Sequence, residues 1–173
     1  MQTWAISGNS GQSTMTIRVL FVCHGNICRS PMAEFIFKNI VSNAALSERF
    51  KINSAATSRE EIWNGQGNPI YPPAAEQLIK NNVPFDDHRA VQVTARDYEN
   101  YDYIIYMDRN NERNLKRITG GDPLNKCFRL LDFTEHPGDV SDPWYTGDFD
   151  QTYRDLLDGC RGLLRYILSK SAQ

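Results

Sequence analysis

The chain has 173 residues, of which 40% are hydrophobic and 11% aromatic, so it can bury one substantial core and is expected to form a single domain. Its 19 basic and 21 acidic residues give a net charge of −2, which argues against a nucleic-acid partner and against an anionic membrane surface. No apolar segment has the roughly 20 residues that span a bilayer, and the N-terminus lacks the pattern of a signal peptide. With four cysteines and no C-x-x-C pair, we expect a cytoplasmic protein in which at least one thiol is functional.

The N-terminal segment, residues 1–15, is rich in small polar residues without periodicity and is interpreted as a flexible tail before a domain of residues 16–173. The first predicted element is a strand at residues 17–23, IRVLFVC, because a continuous apolar and β-branched run is typical of a buried central strand. Ser30 and Pro31 then predict a helix start, with Ser30 as the N-cap and Pro31 as the first helical residue.

The later elements alternate between strands and helices. They are a strand at 50–56, a helix at 72–83, a strand at 101–108, a helix at 109–118, a strand at 126–133 and an amphipathic helix at 149–170. This alternation predicts an α/β fold, a doubly wound, four-stranded parallel sheet with helices on both faces, as in Rossmann-like domains. Ligands of such sheets bind beyond the carboxyl ends of the strands, where the loops that begin at Cys23, Ala56, Asp108 and Phe133 are expected to meet.

The loop VCHGNICRSP, residues 22–31, has the composition of an anion-binding site. Gly25 permits a tight turn and Asn26 tolerates a left-handed backbone, so that successive N–H groups before the helix converge on one point. The N-terminus of the helix and the guanidinium of Arg29 add positive charge that suits a phosphate or a related tetrahedral oxyanion. The same surroundings favour the thiolate form of Cys23, which is the predicted nucleophile.

This loop has three further interpretations. A cysteine at a strand end is usually a small core residue, the role we assign to Cys127 and Cys160. A metal site of Cys23, His24 and Cys28 would place Arg29 beside the cation. A phosphate-binding loop without catalysis needs only backbone amides, so a reactive thiol at its centre would add nothing.

Cys23, five intervening residues and Arg29-Ser30 resemble the C-x5-R-S loop of phosphatases that work through cysteine. The longer string VLFVCHGNICRSPMAE resembles the low-molecular-weight protein tyrosine phosphatases. The strings NSAATS at 53–58, YIIYMD at 103–108 and SDPW at 141–144 resemble later landmarks of that family in the same order. The resemblance therefore covers essentially residues 16–170, and it implies the phosphotyrosine protein phosphatase I-like form of the predicted fold.

The resemblance implies a role for each matching residue and requires neither a metal nor another cofactor. Cys23 is the nucleophile, Arg29 binds the phosphoryl group and stabilises the transition state, and Asp142 is the general acid and then the general base. Taken alone, Asp142 would be interpreted as a turn residue before proline. The predicted substrate-binding residues are His24, Gly25, Asn26, Ile27, Cys28, Ser30, Trp144 and Tyr145, and the predicted supporting residues are Ser54 and Asp108.

The apolar side chain of Ile27 and the aromatic pair Trp144 and Tyr145 suit the phenyl ring of phosphotyrosine, whereas related arginine phosphatases have a polar residue in the place of Ile27. Trp63 is interpreted either as a further wall of the pocket or as packing surface. Expected partners are phosphotyrosine-containing proteins with a cognate tyrosine kinase, and the chain is expected to be a monomer or a weak homodimer.

In this family the arrangement of Cys28 near Cys23 resembles a reversible guard, in which a disulfide protects the oxidised nucleophile. Besides tyrosine phosphatase activity, three functions stay open at this point. Two belong to enzymes on the same fold, a protein arginine phosphatase and a thiol-dependent arsenate reductase. The third is that of a phosphotyrosine-binding module without turnover, which would need neither Cys23 nor Asp142.

Overall fold

Four parallel strands form the central sheet of the computed structural model, which describes residues 15–173. Most of the predicted tail, residues 1–14, lies outside the described residues. The strands of the sheet are β1 (Ile17–Cys23), β2 (Phe50–Ala56), β5 (Tyr103–Tyr106) and β6 (Cys127–Arg129), and β3 (Ile62–Trp63) and β4 (Gln66–Gly67) form a separate antiparallel hairpin. The helices are α1 (Arg29–Asn43), α2 (Pro72–Lys80), α3 (Ala95–Asn100), α4 (Arg109–Thr119), α5 (Pro143–Thr146) and α6 (Phe149–Ser171).

The order of the strands is β2-β1-β5-β6, and every neighbouring pair is parallel. β1 lies inside the sheet, where Cys23 is in register with Ala56 of β2 and Val22 with Tyr106 of β5. Because the strands are parallel, the loops that follow Cys23, Ala56 and Tyr106 leave the sheet at one edge. This is the edge at which the sequence predicts a ligand site.

The two faces of the sheet are covered by different helices. On β1, Phe21 belongs to a core formed with residues of α1, α2 and α6, whereas Val22 belongs to a second core. That second core includes Tyr98 of α3 and Leu115 of α4. Alternating side chains of one strand therefore enter two apolar layers, and the predicted doubly wound arrangement is confirmed.

Some predicted boundaries differ from the structure. β6 ends at Arg129 and not at residue 133, because Leu130–Phe133 forms a 3₁₀ turn in which Leu130 and Leu131 are buried in the core. An apolar run alone does not distinguish a strand from such a turn. α2 ends at Lys80, and α3, α5 and the β3–β4 hairpin were not predicted as separate elements.

The start of α1 also differs from the prediction. Its N-cap is Cys28, which makes no side-chain capping bond, and Ser30 is the second helical residue. The hydroxyl group of Ser30 bonds Cys23 instead of capping the helix. The prediction of Ser30 as the N-cap is therefore wrong, although the helix itself starts where the loop was expected to end.

The longest helix, α6, has 23 residues and an amphipathic sequence. The side chain of Asp148 caps its N-terminus by accepting a hydrogen bond from the backbone N–H of Gln151. Leu156, Leu163 and Ile167 are buried against the sheet layer, and the remaining face carries charged residues. Among residues 15–173, neither this helix nor any other is long and apolar enough to cross a membrane.

Substitution of Gly162 tests the packing of α6 on the 3₁₀ turn. A Cβ atom at Gly162 would overlap the backbone oxygen of Phe133, which cannot rotate away. Gly162→Ala is therefore expected to lower the free energy of unfolding by about 1–3 kcal/mol, measured by denaturant titration. Gly138→Ala is the matched control, since a Cβ there meets nothing within 4 Å, and its effect should stay below about 1 kcal/mol. Equal stability of the two variants would contradict this account of the packing.

Candidate active site

The sulfur of Cys23, at the end of β1, is surrounded by hydrogen-bond donors of the loop that follows. The backbone N–H groups of Asn26 and Ser30 lie 3.3 and 3.4 Å from Sγ, and the hydroxyl oxygen of Ser30 lies 3.0 Å from it. Cys23 is only 3% exposed. Donors that converge on one buried atom stabilise a negative charge there.

The conformation of the loop depends on Asn26, which is fully buried and has a left-handed backbone with φ of 60°. Its side-chain amide donates to Ser30 Oγ at 2.8 Å and to Ser54 Oγ at 3.0 Å, while its Oδ1 accepts from the backbone N–H of Val91 at 3.1 Å. Its backbone oxygen accepts from His88 Nε2 at 2.7 Å. Every polar group named here has a partner, so the strained turn is held from several directions.

The bond from Asn26 fixes the direction of the hydroxyl group of Ser30. Because Ser30 Oγ accepts from the Asn26 amide, its own proton is free to point at Cys23 Sγ. The backbone oxygen of Ala55 also lies within reach of this hydroxyl, but at the longer distance of 3.5 Å. Ser30 is therefore arranged as a donor to sulfur and not as a helix cap.

Two residues of this network were not predicted as part of the site. Glu34 is buried in α1 and accepts from Ser54 Oγ at 2.7 Å and from Lys38 Nζ at 2.6 Å. From the sequence, Glu34 is only an acidic residue near a helix start, although its spacing of four from Lys38 is a signal for a helical ion pair. His88 lies in a segment without regular structure, and nothing in the local sequence indicates its bond to Asn26.

The guanidinium of Arg29 is held at the first position of α1. Its NH1 donates to Asp108 Oδ2 at 2.6 Å and to the backbone oxygen of Val140 at 2.8 Å, and its NH2 donates to Asp142 Oδ2 at 3.2 Å. The side chain of Arg29 is only 2% exposed. Arg29 thus links the loop after β1 to the segments after β5 and before α5.

The charge of Arg29 is balanced by its neighbours. Burial alone would lower the pKa of the guanidinium, but the negative charges of Cys23, Asp142 and Asp108 outweigh this effect and raise the pKa above its usual value. Arg29 is therefore a permanent cation beside the sulfur. Asp108 has a second task, since its Oδ1 accepts from the backbone N–H of Asn111 and caps α4.

The carboxylate of Asp142 is oriented by its position before α5. As the N-cap of that helix, it accepts at Oδ1 from the backbone N–H of Trp144 at 3.0 Å. Its Oδ2 faces Arg29. The carboxylate therefore lies in the wall of the pocket described next, within reach of a group bound near Arg29.

The pocket above Cys23 has a volume of about 130 Å³. It is lined by Cys23, His24, Gly25, Ile27, Cys28, Arg29, Glu60, Glu61, Asp142, Trp144 and Tyr145. Its walls include aromatic rings and polar side chains, and the ring of Trp144 packs against Tyr71 at a centroid distance of 5.1 Å. The sulfur of Cys23 and the guanidinium of Arg29 thus line one pocket, and its volume suits a phosphoryl group and part of an aromatic ring.

The structure brings together most residues that the sequence analysis selected. Nine of the predicted catalytic and substrate-binding residues line the pocket, while Asn26 and Ser30 lie behind it and hold the loop. Of the supporting residues, Ser54 bonds Asn26 and Asp108 bonds Arg29. Trp63 does not line the pocket and is 74% exposed on the β3–β4 hairpin, so its assignment as a wall is not supported.

Glu60 and Glu61 line the pocket but were not selected from the sequence. They follow β2 in a segment whose backbone is bonded to the loop after β1, since the N–H of Ser58 donates to the backbone oxygen of His24 at 3.0 Å. His24 Nε2 also lies 2.8 Å from Glu60 Oε2. Within residues 15–173, no three His, Cys, Asp or Glu side chains are grouped so that they could hold a metal ion.

All four cysteines are free. Burial, together with the nearby negative charges of Cys23 and Asp142, raises the pKa of the Cys28 thiol to about 12. Burial and the charge of Asp122 raise the pKa of Cys127 to about 12, and burial raises that of Cys160 well above its usual value. At neutral pH these three thiols are protonated.

Comparison of the sequence with known proteins identifies several relatives. A family model described as low molecular weight phosphotyrosine protein phosphatase matches residues 18–173. The chain is 40% identical over 153 residues to the low molecular weight protein-tyrosine-phosphatase YfkJ of Bacillus subtilis, across 87% of this chain and 96% of that protein. It is 39% identical over 162 residues to a low molecular weight phosphotyrosine protein phosphatase of Schizosaccharomyces pombe, across 89% of this chain and 99% of that protein.

Solved structures give the same result for the fold. The crystal structure of YfkJ superposes with a TM-score of 0.85 at 38% identity, covering 92% of this chain and 99% of that one. The crystal structure of a Drosophila arginine phosphatase superposes with a TM-score of 0.76 at 25% identity, covering 87% of this chain and 98% of that one.

The thiol environments predict selective alkylation. At pH 7, iodoacetamide is expected to label about one thiol rapidly, since only Cys23 lies among donors that stabilise a thiolate, while the raised pKa values of the other thiols keep them protonated. Cys23→Ser should then show no rapid labelling by mass spectrometry, and the unfolded wild-type chain should label at all four cysteines. Rapid labelling of folded Cys23→Ser would show that another thiol is the reactive one.

Proposed function

The chain belongs to the low molecular weight phosphotyrosine protein phosphatase family, and we propose that it dephosphorylates phosphotyrosine in proteins with Cys23 as nucleophile, Arg29 as phosphate ligand and Asp142 as acid and base. It is thus a hydrolase, a protein tyrosine phosphatase that works through a cysteine. The observation that carries the proposed roles is the convergence of loop donors on Cys23 Sγ, with the guanidinium of Arg29 and the carboxylate of Asp142 in the same pocket.

In the first step, Cys23 Sγ forms a bond to phosphorus while the bond from phosphorus to the tyrosine oxygen breaks. The leaving phenolate has a pKa of about 10, so its departure is helped by a proton from the carboxyl group of Asp142. Arg29 and the backbone N–H groups of the loop hold the three equatorial oxygens, over which the charge of the transition state spreads. The products are tyrosine and a cysteinyl-phosphate.

In the second step, Asp142 is ionised and accepts a proton from the attacking water. The water oxygen bonds phosphorus, and the bond from phosphorus to Cys23 Sγ breaks to release phosphate and the thiolate. The hydroxyl group of Ser30, already directed at the sulfur, stabilises the thiolate as it leaves. One carboxyl group therefore serves both steps, and the loop holds the nucleophile ready for the next cycle.

Phosphotyrosine is the preferred substrate because of the side chains beside the phosphoryl site. Ile27 is apolar and lines the pocket, and Trp144 and Tyr145 supply aromatic surface. The sequence of this chain is also more similar to the tyrosine phosphatases of Bacillus subtilis and Schizosaccharomyces pombe, at 40% and 39% identity, than to the Drosophila arginine phosphatase, at 25%. These features support tyrosine over arginine as the phosphorylated residue.

Arsenate reduction and phosphotyrosine binding without turnover are less well supported than phosphatase activity. Arsenate reduction of the thiol-dependent type needs further cysteines that move to exchange disulfides, but Cys160 is fully buried in α6 and Cys127 lies in β6. A binding module without turnover has no use for an oriented acid such as Asp142 beside a nucleophile.

The substrates, the cellular location and the assembly of the enzyme are also part of the proposal. We propose that its substrates are phosphoproteins made by a tyrosine kinase. A cytoplasmic location suits four free thiols, because disulfides are rare in that reducing compartment. The proposed assembly is a monomer or a weak homodimer.

Cys28 is proposed to protect the nucleophile during oxidation. Peroxide would convert the Cys23 thiolate to a sulfenic acid, and the thiol of Cys28 would then displace water to form a disulfide. Both residues line one pocket on the same loop. Because its raised pKa keeps Cys28 protonated, it does not compete with Cys23 as nucleophile at neutral pH.

Hydrolysis of aryl phosphates in the presence of EDTA tests the proposed roles. Wild type should turn over both p-nitrophenyl phosphate and phosphotyrosine peptides, and Cys23→Ser should be inactive on both while it still binds phosphate. Asp142→Ala should lower kcat about 10²- to 10⁴-fold for phosphotyrosine and less for p-nitrophenyl phosphate, because p-nitrophenolate leaves readily without a proton. Activity that EDTA abolishes, or normal rates in Cys23→Ser, would refute the assignment.

Selectivity for tyrosine over arginine tests the role of Ile27. Wild type should hydrolyse a phosphotyrosine peptide with a higher kcat/KM than the matched phosphoarginine peptide. Ile27→Thr should lower the ratio of kcat/KM for phosphotyrosine to kcat/KM for phosphoarginine about 5- to 10-fold, as expected for the loss of one apolar contact in a pocket. A ratio that favours phosphoarginine in wild type, or one that Ile27→Thr leaves unchanged, would contradict this role.

A further inference from the structure

One part of the pocket wall is formed by a polar pair that catalysis does not use. His24, the residue after the nucleophile, donates from Nε2 to Glu60 Oε2 at 2.8 Å. Both side chains line the pocket, and they remain 43% and 69% exposed. The bond holds an accessible carboxylate at the mouth of the pocket, where the chain on either side of a bound phosphotyrosine must pass.

A second carboxylate, that of Glu61, is held nearby. Its Oε2 accepts from Asn68 Nδ2 at 2.7 Å, and its Cγ would lie 3.1 Å from a Cβ added at Gly25. The stem of Glu61 therefore rests on the catalytic loop while its charge is turned toward a polar partner. Glu60 and Glu61 are together called the acidic rim.

Within the part of the chain that the structure describes, neither arginine near the acidic rim is placed to cancel its charge. Arg29 is buried and already bonded to Asp108, Val140 and Asp142. Arg59, next to Glu60 in sequence, donates to Gln92 and does not line the pocket. The phosphoryl group is bound deeper in the pocket, by Arg29 and the loop amides. The acidic rim therefore acts on the substrate residues that flank the phosphotyrosine.

We propose that Glu60 and Glu61 determine substrate choice by favouring phosphotyrosine sites with Lys or Arg directly beside the phosphotyrosine, and by disfavouring sites with Asp or Glu there. The proposal rests on the phosphotyrosine phosphatase activity proposed above. Complementary charges at a partly exposed rim contribute modestly to affinity and strongly to discrimination, since like charges repel. The occupant of the rim is thus a basic side chain of the substrate protein.

Matched phosphopeptides test this choice. Three peptides that differ only in the residues flanking phosphotyrosine, with Lys, Ala or Glu on both sides, are compared by kcat/KM at low ionic strength. Wild type should prefer the Lys peptide over the Glu peptide about tenfold, because each exposed charge pair contributes about 1.4- to 5-fold. Glu60→Gln with Glu61→Gln should bring the ratio close to one, and Glu60→Lys with Glu61→Lys should invert it.

The control variant is Glu48→Gln, an exposed carboxylate in the turn before β2, at the opposite end of that strand from the pocket. It should keep the wild-type ratio. Raising the salt concentration from about 0.02 M to about 0.5 M should reduce the wild-type ratio without any substitution, because salt screens exposed charges. A wild-type ratio that salt leaves unchanged would overturn the rim proposal even where a rim variant does not fold.

The outcomes separate the two proposals. If wild type hydrolyses all three peptides at similar kcat/KM, or if the double Gln variant keeps the preference, the acidic rim does not select substrates, and the phosphatase assignment stands. If wild type hydrolyses neither the peptides nor p-nitrophenyl phosphate, the proposed function itself fails. If Glu48→Gln also loses the preference, the preference arises from the overall charge of the protein, and the rim proposal is overturned.

Discussion

The convergence of donors on the Cys23 sulfur is the constraint on which the other features of the site depend. A buried sulfur can hold a negative charge only if N–H and O–H groups surround it, and they reach it only if the loop turns sharply. That turn requires the left-handed backbone of Asn26, which is stable because its side chain and its carbonyl oxygen are all bonded. Chemistry at the pocket thus rests on hydrogen bonds made behind it.

Arg29 extends this constraint from one loop to the whole carboxyl edge of the sheet. Its guanidinium contacts Asp108 after β5, and it contacts Val140 and Asp142 in the segment between the 3₁₀ turn and α5. The buried guanidinium, which is the proposed phosphate ligand, therefore connects the loop of the proposed nucleophile Cys23 to the proposed acid Asp142. Parallel strands make this arrangement available, because they deliver loops from distant parts of the sequence to one edge.

Much of this could be predicted from the sequence, for identifiable reasons. The apolar run of β1 and the alternation of elements specified the sheet, and the spacing of Cys23 and Arg29 specified the loop. Asp142 is selected only by the family resemblance, since nothing local distinguishes it from an ordinary turn residue. Glu34 and the acidic rim were missed because their roles arise from contacts across the fold. The end of β6 was missed because Leu130 suits a strand as well as a turn under α6.

Asp108 has a consequence for how this protein can change over time. One of its oxygens caps α4 and the other bonds Arg29, so the same side chain maintains a helix and the reactive pocket. Asn would keep the cap while losing the charge, and Glu would move the oxygens away from the helix end. Neither substitution therefore preserves both functions of Asp108. A laboratory screen for higher thermal stability that selected a substitution at residue 108 would also alter catalysis.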